Sequence, residues 1–241
     1  MERAPETAFE PDASATVGSP MMGPGRDRAA EPDEVSLERR IAQLIITKEF
    51  RPGQRLREAA LASRFKVSRA KVRQACIKLS SLGVVHIRHN YGAVVCLPSP
   101  EEARAVFRVR KVLEEQVIRE VIERSDPGAL ARLKESVREE RCVYETRRHG
   151  LAQLSSKFHM LLSEATGNAL LTHLMEQVIY RCVLIQCLYE RPDQETVCLV
   201  HDHEELIETI KSKDIGLAAA KSTRHIEAIE NSLRYKGDFE K

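Results

Sequence analysis

Residues 58–82, EAALASRFKVSRAKVRQACIKLSSL, carry two helical patterns separated by a short break. Leu61, Ala62 and Phe65 recur at one-face spacing, which predicts a helix over roughly Glu58–Phe65. Val72, Ala75, Cys76 and Leu79 repeat the pattern over roughly Arg69–Leu82. Ser68 precedes the second run, where its hydroxyl can accept a bond from an orphan backbone N–H. Arg69, Lys71, Arg73 and Lys78 lie off the apolar stripe. Cations in the first turns of a capped helix oppose its macrodipole, so they imply an anion from outside the chain. A phosphate backbone supplies one. The geometry implied is a helix-turn-helix, whose second helix enters the major groove N-terminus first.

Charge supports this. Residues 36–96 carry 13 Lys/Arg against three acids, a net +10. Residues 1–35 are at −5 and residues 97–241 at −3, which leaves only +2 for the chain. A small segment at +10 is an electrostatic footprint for nucleic acid. No apolar run approaches the ~20 residues of a membrane span, and the acidic start MERAPETAFEPD has no signal-peptide pattern, so a cytoplasmic protein is expected. Six cysteines without a CxxC pair read as small buried hydrophobes, with a redox role as the alternative.

In chain order, residues 1–34 are rich in Ala, Pro, Gly and Glu without periodicity and read as a disordered tail. A helix begins near Ser36, which is expected to cap it. Arg51-Pro52-Gly53 is a turn, and Gly83 ends the second helix of the pair. The β-branched runs 84–88 and 93–96 read as a hairpin, which places Arg88 and His89 at its tip. Residues 35–96 are therefore expected to form a winged helix-turn-helix, with His89 near the minor groove or the phosphates. Residues 97–100 read as a linker. Residues 101–235 read as a six-helix bundle with no strand signal, so the fold class is mainly α. Its first helix is expected to bury Val106, Val109, Leu113, Val117, Ile118 and Val121. Asp126-Pro127 starts the second, and His149-Gly150 breaks it. The fourth, Ala169 to about Tyr189, is nearly all apolar and is expected at a bundle centre or a dimer interface. Arg191-Pro192-Asp193 ends it. The fifth runs about Gln194–Lys211 and the sixth about Asp214–Leu233.

Three histidines stand on or near inward faces of three different helices: His159, His203 and His225. A lone inward histidine is a hydrogen-bonded core residue; three could converge on a divalent metal.

PGQRL, the spaced Leu61-Ala62 and VSRAKVRQACIKLSSLGVV resemble the DNA-binding domain of GntR-type bacterial transcription regulators over about residues 37–96. The sequence departs from that pattern at Lys66, which replaces the turn glycine, at Ala70-Lys71 for Thr-Pro, and at Gln74 for Glu. Lys66 is expected to take a strained turn conformation at a cost of about 1 kcal/mol. The resemblance implies DNA contacts by Ser68, Arg69 and Arg73, to which Lys71 adds a cation.

VRKVLEEQVIREVI, KFHMLLSEATGN, HDHEELIETIKSKD and AAAKSTRHIEAI resemble the effector-binding FCD domain of the FadR-like GntR subgroup over about residues 101–234. Arg110, Leu113 and Glu114 match its first block, and His203 and His225 keep its spacing. The family's metal-binding Asp lies one helical turn before the first histidine; here that residue is Ser155. Three neutral imidazoles suffice for Zn²⁺ or Ni²⁺ with one open position. The alternative is a metal-free pocket whose histidines donate hydrogen bonds to an anion. Arg110 is expected either to help hold an effector carboxylate or to form a structural salt bridge.

The expected function is a dimeric, ligand-responsive transcription regulator, taken here as a repressor, that binds an operator through residues 35–96. A small organic acid would be sensed by Arg110, Ser155, His159, His203 and His225. A metal-dependent hydrolase-like enzyme is an alternative, weakened because no carboxylate is placed beside His159. An architectural DNA-binding dimer without an effector is another.

Overall fold

A computed structural model of the chain describes residues 36–146, 151–189 and 200–234, with backbone alone at 151–153. The tail, the breaks expected at 149–150 and 191–193, the start of the fifth bundle helix, Cys198 and residue 235 lie outside the described residues.

The N-terminal part is α1 (Leu37–Ile46), β1 (Arg55–Leu56), α2 (Glu58–Phe65), α3 (Arg69–Ser81), β2 (Val85–Arg88) and β3 (Gly92–Val95). This is the expected winged helix with one strand added. β1 is only two residues long and pairs antiparallel with β3, Arg55 opposite Val94, giving the sheet order β1-β3-β2. Ile41, Ile45, Leu61, Val72, Leu79 and Val85 meet in its core. Ser36 stands at the N-cap of α1 but makes no side-chain cap bond, contrary to expectation. Ser68 does cap α3, accepting from the Lys71 N–H at 3.3 Å. At the other end Gly83 has φ +71°, and two reverse bonds, Val84 N–H to Leu79 O and Gly83 N–H to Ser80 O, close the helix. Lys66 ends α2 in the left-handed region (φ 54°, ψ 44°), so the strain expected of a non-glycine in this turn is present.

Six helices follow: α4 (Pro100–Arg124), α5 (Pro127–Glu145), α6 (Leu151–Glu164), α7 (Ala169–Tyr189), α8 (Val200–Ser212) and α9 (Ile215–Ser232). Ser99 and Glu102 form a reciprocal capping box at the start of α4, so part of the expected linker is helix cap. The buried face of α4 is Ala103, Phe107, Arg110, Glu114, Val117, Ile118 and Val121. That face is rotated from the expected one: Val109 is exposed, and the charged Arg110 and Glu114 point inward. Asp126 caps α5 as expected, accepting from Gly128 N–H at 2.8 Å.

α7 explains its own apolarity. Met175 and Ile179 enter one bundle cluster, and Val178, Cys182 and Ile185 enter a second one. Leu184 enters the winged-helix core, with Tyr180 and Leu188 packed against it. Much of the apolar surface expected to serve a dimer is thus used within the chain. Among the described residues no helix is long and apolar enough to cross a membrane.

Candidate functional site

Five bundle helices converge on one buried centre. α6 brings His159, α8 brings His203 and α9 brings His225, each at most 3% exposed. His203 Nε2 lies 3.2 Å from His159 Nε2 and 3.2 Å from His225 Nε2. Phe158 stacks on the His203 ring, 4.2 Å between centroids, and fixes its plane. The three histidines read from the sequence do come together.

Behind each imidazole stands a carboxylate. His203 Nδ1 is 2.7 Å from Glu140 Oε2 on α5, and His225 Nδ1 is 3.1 Å from Asp202 Oδ2 on α8. His159 Nδ1 is 2.5 Å from Glu114 Oε1 on α4, close but off the hydrogen-bonding direction. Glu114 also accepts from Ser222 Oγ at 3.1 Å and from Arg110 Nε at 3.3 Å. The sequence-level expectation that no carboxylate stands beside His159 is therefore wrong. In the sequence Glu114 is marked only by a motif match, and nothing there singles out Glu140, Asp202 or Ser222.

The electrostatics follow from burial. It pushes His159 down to about 3 and His203 well below the usual imidazole value, so both rings are neutral. Burial also raises the Glu140 carboxyl to about 8. For Glu114 burial acts upward too, but the His159 ring and the Arg110 guanidinium outweigh it and hold the carboxyl far below its ordinary value. The hydrogen bond from His225 holds Asp202 low. Arg110 is 3% exposed and pairs with Glu114, which is the structural salt bridge of the two expected roles. Cys182 of α7 lies within its electrostatic reach. Ser155 is buried one turn before His159 on α6.

The donor set fits a metal. Two nitrogens bound at about 2.0–2.1 Å to one tetrahedral zinc lie roughly 3.3 Å apart, close to the 3.2 Å separations here. The three histidines could hold a divalent ion, with Ser155 giving no carboxylate as a fourth ligand. A cleft of about 750 Å³ on the outside of α5 and α8 is lined by Lys134, Arg138, Glu204 and Glu208, and none of the three clustered histidines reaches it.

The other candidate surface is α3. Arg69 and Lys71 are exposed in its first turn. Arg73 is exposed as well but pairs with Glu58 of α2 through two contacts of 3.1 Å, which holds its guanidinium beside the turn. His89 is exposed between β2 and β3, where Arg55 stacks over Tyr91 at 4.7 Å.

A winged helix with a cationic, well-capped second helix, joined to a helical bundle around three histidines, defines a DNA-binding regulator. The chain matches the family of bacterial regulatory proteins called gntR over residues 34–95 and the FCD domain over residues 105–228, and it belongs to the FCD-bearing GntR regulators rather than to any enzyme family. It is 26% identical to the HTH-type transcriptional regulator LutR of Bacillus subtilis, covering 82% of this chain and 98% of that one. It is 24% identical to the HTH-type transcriptional repressor RspR of Escherichia coli, covering 76% and 81%. The fold matches E. coli McbR/YncC with a TM-score of 0.68 at 18% identity, over 79% of this chain and 92% of that one. A GntR regulator from Rhodococcus sp. RHA1 gives 0.66 at 22% identity, over 82% and 97%.

Proposed function

We propose that this chain is a homodimeric repressor whose operator affinity is set by a small carboxylate bound at a metal held by His159, His203 and His225. The observation that carries the metal is the convergence of three Nε2 atoms on one another. An imidazole nitrogen offers one N–H or one lone pair and so makes one good hydrogen bond. His203 Nε2 has two nitrogen neighbours at 3.2 Å. A shared cation, Zn²⁺ or Ni²⁺ by donor type, accounts for both. Such an ion supplies Lewis-acid attraction for an anion at its open position. The effector's carboxylate takes the place of the carboxylate that Ser155 lacks.

Operator contact is assigned to Arg69 and Lys71, with Ser68 and Arg73 shaping the helix start and His89 at the wing. α7 links the two ends. Its Cys182 lies in one buried cluster with Ala103 and Phe107 of α4, the helix that carries Arg110, and the preceding Arg181 reaches Leu82 O at the C-terminal end of α3, at 3.5 Å. Binding at so buried a centre must shift packed helices, and α7 carries any shift to the recognition helix. Dimerisation is assigned to α4 and α7. Asn168 at the start of α7 bonds Glu120 near the end of α4, and Tyr189 at the end of α7 donates to Pro98 O just before α4, so the two helices run antiparallel. Side by side they expose Val109, Val112, Leu170 and Leu174, with Val112 at 68% and Leu170 at 69%. The named repressor among the relatives supports repression.

A thermal-shift screen with organic acids, with and without chelator, tests the reading. The expected result is stabilisation by Zn²⁺ or Ni²⁺, further stabilisation by one class of acid, and loss of both with chelator. An effector shift that survives chelator refutes the metal's role.

A further inference from the structure

The proposed function leaves unused the three carboxylates behind the imidazoles. They come from different places: Glu114 on α4, Glu140 on α5 and Asp202 on α8. All three meet a ring at Nδ1, at 2.5, 2.7 and 3.1 Å, and all three rings turn Nε2 to the common centre. Glu114 and Glu140 are fully buried, which is costly for a carboxylate without a partner. Glu140 Oε1 has no hydrogen-bond partner among the described residues, so its place is held by the contact of Oε2 with His203.

Resting on the metal reading, we propose that Glu114, Glu140 and Asp202 are positioning residues that select Nε2 as the ligating nitrogen of all three histidines and carry the negative charge that Ser155 removes from the coordination sphere. The chemistry is direct. A carboxylate at Nδ1 favours the tautomer with its hydrogen there, which leaves the lone pair on Nε2. It also makes the ring a stronger donor to a cation. A ligating Asp places a full charge on the metal and occupies a position. The same charge placed behind the rings stabilises the dication yet leaves that position free for an anionic effector. Glu114 and Asp202 against a dication and Arg110 leave the centre at +1, and neutral once the cation draws the proton from Glu140, so a carboxylate can enter without strong repulsion.

The test is calorimetric titration of the full-length protein with Zn²⁺ alone, on wild type, Glu140→Gln and Asp202→Asn. Glu114 is unsuitable because its loss also strands Arg110. Each variant should bind Zn²⁺ roughly ten- to a hundredfold more weakly, while Ser155→Ala stays within about threefold. Long-range ¹H–¹⁵N spectra of the Zn²⁺-loaded wild type should show the hydrogen on Nδ1 of all three rings. The partly exposed Asp202 keeps the test open if Glu140→Gln fails to fold. Wild-type affinity in both variants, or an Nδ1-ligated ring, overturns this proposal and leaves the metal reading standing. A wild type that binds neither Zn²⁺ nor Ni²⁺ overturns both.

Discussion

The contact between Arg181 and the end of the recognition helix yields a quantitative prediction at Gly83. This glycine has φ +71°, and a Cβ built on it would lie 2.2 Å from Arg181 Nε. The clash itself is cheap, because the obstacle is the far end of a flexible side chain. Two costs remain in Gly83→Ala. A left-handed conformation costs a non-glycine residue roughly 1–2 kcal/mol, offset by about 0.4–1 kcal/mol of lost freedom in the unfolded chain. Displacing Arg181 removes a cation from the carbonyl end of α3, worth about 0.3–1 kcal/mol. The Arg181–Leu82 distance of 3.5 Å is long, which favours the lower part of that range. Gly83→Ala should therefore destabilise by roughly 0.3–2 kcal/mol in urea unfolding. In an Arg181→Ala background the cost should fall by the value of the displaced contact. Arg181→Ala alone should leave an operator-binding protein with a blunted response to effector. Equal costs of Gly83→Ala in the two backgrounds would refute the claim that α7 holds this end of α3.

Three further outcomes are expected. Arg69→Ala should weaken operator binding roughly ten- to a hundredfold, and Lys71→Ala should chiefly flatten its salt dependence; gel shifts at several salt concentrations check both. The double change Val112→Glu with Leu170→Glu should turn a sedimenting dimer into a monomer at micromolar concentration, and a dimer that persists places the interface elsewhere. Ser155→Asp should tighten Zn²⁺ and make its binding less dependent on effector, both read by calorimetry; an unchanged affinity means that residue 155 does not face the three histidines.

The winged helix was legible because its signals are local. Ser68 caps, Gly83 takes a left-handed φ, and apolar residues three and four apart fix the faces of α2 and α3. β1 was missed for the opposite reason. Two residues carry no periodicity, and Arg55 and Leu56 become a strand only because β3 lies alongside. The start of α4 was misread although its signal was present. Ser99 and Glu102 have capping-box spacing, but two flanking prolines suggested a linker. For α7, composition showed that the helix would be buried on nearly every side. It could not show that Leu184 would complete the winged-helix core, because that depends on how two folded units dock.

The site divides along the same line. His159, His203 and His225 could be placed inward from their own helices, and their convergence needed only that α6, α8 and α9 be neighbours. The carboxylates needed the tertiary register, yet a clue to them lay in the chain. Glu140 falls in step with Leu133 and Val137 on the inner face of α5. On α4, taking Val109 as inward turned the expected stripe away from Glu114, and so left it as a motif match beside Arg110. An acid in an inward register is a strong signal, because burying it alone costs several kcal/mol. Such a residue implies a cation, a hydrogen-bond donor or both. Glu114 has Arg110, Ser222 and His159 around it. Among the described residues Glu140 has the edge of a neutral imidazole, and its second oxygen has no hydrogen-bond partner. One ring edge is weak compensation for a buried carboxylate. Burial accordingly raises that carboxyl to about 8, and positive charge on the far side of the ring, where His159, His203 and His225 turn their nitrogens toward one point, is what would keep it ionised.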